Sequence, residues 1–92
     1  MIQSFADRAS ERLWMGAFVK RFGAIEKQAR RKLDVLHHAS GLDDLGAVPG
    51  NHIEALSGDR RGQHSIRVND RWRICFVWTK EGPANVEVTD YH

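Results

Sequence analysis

Cysteine occurs once in the 92 residues, at Cys75. A lone thiol forms neither an internal disulfide nor a cysteine-based zinc cluster. Between Ile74 and Phe76 it reads as filler of the interior. Proline occurs only at Pro49 and Pro83, both in stretches that read as loop or turn. No apolar run is long enough to cross a bilayer, and the first residues carry no charged-then-apolar leader. The chain therefore reads as cytoplasmic, with no membrane role. It lacks repeats, low-complexity tracts and linkers, so residues 1–92 read as one domain. A large charge excess is also missing: 14 Lys and Arg against 12 Asp and Glu leave +2. That balance is weak evidence for a nucleic-acid partner. The hydrophobic fraction of 41% suffices for one small core. Such a core leaves little stability in reserve, so a bound partner can add a good deal.

The distribution of charge says more than its sum. Between Asn51 and Lys80 six cations (Arg60, Arg61, Arg67, Arg71, Arg73, Lys80) stand against three acids (Glu54, Asp59, Asp70). The same stretch changes its apolar period to two. His52 to Leu56, Gln63 to Val68, Arg71 to Trp78 and Ala84 to Thr89 read as four strands joined by polar turns. In the third, Trp72, Ile74, Phe76 and Trp78 share one face, and Arg71, Arg73, Cys75 and Val77 the other.

The first half reads differently. Met1 to Phe5 alternates and suits an edge strand. A first helix opens at an Asp7 or Ser10 cap and runs to Gly23, a natural left-handed stop. Ala24 to Ala39 is the clearest helix, with Ile25, Ala29, Leu33 and Leu36 on one face. Arg30, Arg31 and Lys32 read as its solvated side. His37 and His38 near its end point about 100° apart and make a poor metal chelate. Ser40 to Gly50 is loop, pinned by Leu45 and Val48. The order β-α-α-β-β-β-β with short connections implies an α+β fold, two N-terminal helices packed on one face of an antiparallel sheet. The aromatic row of the third strand then faces the helices, and Arg73 lies on the open side.

Arg73 is the cation in the middle of the best strand. Its planar fork matches two phosphate oxygens, and a strand holds it firmly. The plainer alternative is a cross-strand ion pair with Glu54, Glu87 or Asp90. Arg60, Arg61, Arg67 and Arg71 suit contact with a long RNA surface, or are ordinary solvated charges that Asp59 or Asp70 partly neutralises. His52 and His64 stand alone and read as structural. No His, Cys, Asp and Glu set has metal spacing, so neither metal nor cofactor is expected. The chain ends Asp90-Tyr91-His92. An imidazole titrates near neutrality, a phenol donates a proton or stacks on a base, and a carboxylate orients either. Fixed cations beside such groups suit chemistry on a phosphate backbone. A solvated, arginine-rich sheet face with a frayed end is the bland reading.

The segment LSGDRRGQHSIRVNDRWRICFVW with the terminal TDYH resembles the HigB toxins of host-inhibition toxin–antitoxin pairs, within the RelE/ParE superfamily. The likeness extends from the opening MIQSF through the PGN loop to the DYH end. It implies two helices on an antiparallel sheet, and ribosome-dependent, metal-independent cleavage of mRNA in the aminoacyl site. It also implies a HigA-like antitoxin with a helix-turn-helix domain, through which alone operator DNA is bound. Arg73, Asp90, Tyr91 and His92 match family positions implicated in the active site. Glu54 stands where some members carry a His, and Ser57 where they carry a Lys. The general base therefore stays open between Glu54 and the tail. ParE-like relatives, which bind gyrase and cut no RNA, are the alternative. An inactive or weakened toxin acting mainly as an antitoxin-bound co-repressor is a third reading. Trp14 and Val19 of the first helix are the expected antitoxin contacts.

Overall fold

The computed structural model describes residues 1–90. Helix α1 (Arg8–Trp14) starts where the Asp7 carboxylate accepts the Ser10 N–H at 2.8 Å. This satisfies a donor that the first helical turn leaves unpaired. The helix stops at Gly16, whose φ of +94° only glycine adopts without strain. It is thus half the length expected, and Gly23 is not its stop. Instead Lys20–Ile25 forms a 3-10 helix running directly into α2 (Glu26–His38). Ile25, Ala29, Leu33 and Leu36 are buried, as their spacing predicts. Fully covering each leucine is worth about 1.5–3 kcal/mol, and the Glu, Lys, Gln, Ala and Arg residues around them are themselves good helix formers.

The expected loop after α2 contains a short helix, α3 (Leu42–Ala47), with Leu45 fully buried and Val48 half-buried. Strands β1 (Glu54–Ala55), β2 (His64–Arg67), β3 (Arg73–Thr79) and β4 (Gly82–Thr89) follow. They pair antiparallel in the order β1-β2-β3-β4. The N-terminal segment does not form a full strand. It makes one parallel bridge, Phe5 to Val86, and hydrogen bonds from Gln3 N–H to Pro83 and from Ala6 N–H to Val86. Register slips between Cys75 and Val77, because β4 carries an extra residue there. Asn85 has φ +52° at that bulge, a conformation asparagine tolerates better than most residues.

One sheet face meets the helices. Ile66, Ile74, Phe76, Val86 and Val88 pack with Leu13, Phe22 and the α2 stripe, and Trp72 and Trp78 border that core. The aromatic row of β3 therefore faces the helical layer, as alternation predicts. No described helix is long and apolar enough to cross a membrane.

Candidate functional site on the helix-free sheet face

Strand register determines which side chains meet on the uncovered face. Glu54 lies opposite Ser65, Ser65 opposite Cys75, and Cys75 opposite Glu87. The adjoining row is Arg67, Arg73 and Thr89. Directly opposed residues share a face, so all seven point away from the helices.

Two arginines facing each other across strands repel unless each has its own anchor. Arg67 turns to Asp70, to which its guanidinium is hydrogen-bonded. Arg73 turns the other way. Its Nε donates to Ser65 Oγ at 2.7 Å, and its Nη2 donates to the His52 carbonyl at 2.5 Å and the Ser65 carbonyl at 3.3 Å. Glu54 Oε1 lies 3.6 Å from Nε. Arg73 thus makes the cross-strand ion pair with Glu54, and it stands on the open face. Only 9% of its surface is exposed. Locked by these bonds, Arg73 nonetheless lines an open cleft on this face.

The lock depends on residues whose roles the sequence does not display. Ser65 is buried on β2. His52 contributes its carbonyl, aimed by a left-handed backbone at φ +44°. Such a conformation costs of order 1–3 kcal/mol in a residue other than glycine and persists where its surroundings hold it. Asn51, also buried, ties this loop down. Its amide donates to the Leu45 carbonyl at 2.9 Å, its side-chain oxygen accepts from Lys32 Nζ at 2.5 Å, and its own carbonyl accepts the Arg67 N–H. Burial, then the charges of Arg31 and Arg67, lower the Lys32 pKa from its ordinary value. The left-handed residue after Pro49-Gly50-Asn51 is the one sequence signal for this anchor.

A cleft of 530 Å³ opens on this face, lined by His52, Ile53, Glu54, Arg67, Asp70 and Arg73. Of the residues singled out from sequence, Glu54, Arg67 and Arg73 meet there. Arg60 lies elsewhere on the face, bonded to Gln63 and to Glu87 across the sheet, both at 3.1 Å. It passes the buried Cys75, whose pKa burial raises to about 11 with help from Glu87 and Glu54. That thiol stays protonated and inert. Arg61 is exposed on the preceding turn. Arg71 pairs with Asp90 at 2.5 Å beyond the ends of β3 and β4, and neither residue lines the cleft. Tyr91 and His92 lie outside the described residues. Strand β4 brings Thr89 directly opposite Arg73. Among the described residues no group of three His, Cys, Asp or Glu could hold a metal ion.

The face thus offers a fixed cation lining a cleft, a carboxylate within 4 Å of it and a second cation across the strand. That arrangement can bind a phosphodiester and take a proton beside it. The chain shares its fold with solved YoeB–YefM toxin–antitoxin complexes of Staphylococcus aureus. Two such structures match with TM-scores of 0.64 and 0.62, at 16% and 14% identity, covering 100% of this chain and 98% of theirs. The architecture is therefore the RelE-like toxin fold. A family model described as the RelE-like toxin of the type II toxin–antitoxin system HigB matches residues 3–92. Toxin HigB-1 of Vibrio cholerae serotype O1 is 44% identical over 69 residues, which are 75% of this chain and 72% of that one. The chain belongs to the HigB family, the toxins of type II toxin–antitoxin systems.

Proposed function

We propose that this toxin is a ribosome-dependent endoribonuclease of the cytoplasm, cutting mRNA in the aminoacyl site and so halting translation and growth. The single observation that carries the reading is Arg73. It is clamped by Ser65 and His52 on the helix-free face, with Glu54 3.6 Å from its Nε and both residues lining one cleft. Glu54 takes the proton from a ribose 2′-hydroxyl. The freed oxygen attacks the adjacent phosphorus, and Arg73 stabilises the charge that develops on the phosphoryl oxygens. The bond to the 5′ oxygen breaks, and His92 or Tyr91 supplies that oxygen with a proton. The products are a 2′,3′-cyclic phosphate and a 5′-hydroxyl end. Glu54 is the better base of the two open choices, because it lines the Arg73 cleft whereas Asp90 is held by Arg71. Asp90 then serves to orient the tail. Acid, base and phosphoryl cation all come from side chains, so the step needs no metal or cofactor. Arg60, Arg61, Arg67 and Arg71 contact RNA backbone, and the ribosome supplies the positioning of substrate.

The partner in this reading is a HigA-like antitoxin with a helix-turn-helix domain, through which the pair represses its own operon. The test compares Arg73→Ala and a deletion of His92 with the unaltered toxin, for growth arrest and for cleavage on translating ribosomes. Both variants are expected to lose cleavage by about 100-fold or more. Full toxicity in both overturns the site. Arrested replication with intact mRNA turns the reading to a gyrase-binding toxin.

A further inference from the structure

The two apolar residues expected to await the antitoxin, Trp14 and Val19, are half-buried against the core. Phe18 is exposed instead, at 67%, with Met15 at 77% shortly before it. Gly16 causes the difference: it breaks the first helix and sends residues 17–19 back alongside it, so Phe18 escapes the buried stripe. A cleft of 380 Å³ opens there, lined by Arg8, Ala9, Arg12, Phe18, Val19 and Lys20. Its floor is apolar and its rim is cationic. Among the described residues Arg8, Arg12 and Lys20 make no ion pair, whereas nearby Arg21 is paired with Asp7 and Arg30 with Glu26.

We infer that this cleft is the docking groove for an acidic, amphipathic segment of the antitoxin. An apolar side chain of that segment packs on Phe18 and Val19, and its carboxylates meet Arg8, Arg12 and Lys20. The inference rests on the toxin–antitoxin reading given above and adds the surface and the chemistry of the partner. A second copy of this chain is a poor occupant, since its own groove would present three more cations to these three. Bare RNA would use the rim and stack a base on Phe18 but gain nothing from Ala9 and Val19, whereas an apolar side chain packs on all three. Phe18, an exposed aromatic at the centre of the groove, is the anchor residue of such an interface.

The experiment measures antitoxin affinity for the full-length toxin by titration calorimetry at low and at physiological salt, with growth arrest in the absence of antitoxin as a parallel readout. Phe18→Asp is expected to weaken binding by about 100-fold, and Phe18→Leu to restore most of it. The double variant Arg8→Glu, Arg12→Glu is expected to weaken binding and flatten its salt dependence. All variants are expected to melt like the parent and keep full growth arrest, because the groove lies apart from the Arg73 cleft. Unchanged affinity in both acidic variants overturns the groove while leaving the toxin reading standing. Lost growth arrest with intact antitoxin binding assigns the rim to the ribosome and also overturns it. Absence of any antitoxin binding by the parent protein removes the partner itself.

Discussion

Arg73 is both a structural clamp and the proposed phosphate ligand, and the two duties are separable by substitution. Arg73→Lys keeps a positive charge but cannot bridge Ser65 and His52 with one planar group. Cleavage on translating ribosomes is expected to fall about 100-fold or more, as when a transition-state donor is removed. Stability in a urea melt is expected to drop by about 1–2 kcal/mol, because buried acceptors lose their donor. Glu54→Gln gives the opposite balance. It keeps the shape of an exposed side chain and its reach toward Nε, so the melt stays within about 0.5 kcal/mol. Cleavage is nevertheless expected to fall by about 100-fold, since an amide cannot take the proton. The direction of Arg73 was legible in the sequence, because alternation along β3 places it opposite Trp72 and Ile74. Its holders were not. His52 contributes a backbone carbonyl, which leaves no side-chain signature, and Ser65 reaches Arg73 only through the pairing of β2 with β3.

At the scale of elements, local signals succeeded where a single residue type sets the backbone and failed where two competed. Asp7 was one of two possible caps for α1, and it is the one used. Asp7→Ala is expected to cost about 1 kcal/mol by thermal melt, with part of the loss coming from its ion pair to Arg21. Gly23 was the expected stop of the first helix, and Gly16, inside that span, ends it instead. A 3-10 helix then carries Phe22 into the core. The four strands of the meander were legible from their apolar alternation, although β1 keeps only Glu54–Ala55, both exposed, of the expected His52 to Leu56. The N-terminal pairing was reduced to one bridge, since the bulge at Asn85 bends β4 there. Gly82 makes that approach possible: a Cβ at this position would meet the Met1 carbonyl oxygen at 2.4 Å, and its φ is +134°. Gly82→Ala is expected to destabilise by about 1–3 kcal/mol, with the lowered melting temperature as readout.

Across the whole molecule the sheet divides two duties. The helical side carries the core and the Phe18 groove, and the bare side carries the arginines. The α+β class and the helical cover were legible from the order of periodicities alone. The packing of α2 on the N-terminal segment was not, and it makes stability sensitive to pH. His37 Nδ1 accepts the Ile2 N–H at 3.2 Å, which requires a neutral ring. Burial, followed by neighbouring positive charge, lowers its pKa from the usual 6.5. A group held neutral in the fold binds a proton more readily when unfolded. Its contribution is therefore complete above the unfolded value and is lost as pH falls from there through the lowered folded one. The melting temperature is expected to fall as pH drops below 6.5, and less steeply in His37→Gln. Whether the bare face cuts RNA on the ribosome is decided by mapping mRNA 5′ ends at nucleotide resolution after induction of the toxin. New 5′-hydroxyl ends in phase with the reading frame of translated messages are expected, absent when Arg73→Lys is induced. Intact messages in arrested cells, or ends scattered without regard to frame, would contradict that reading.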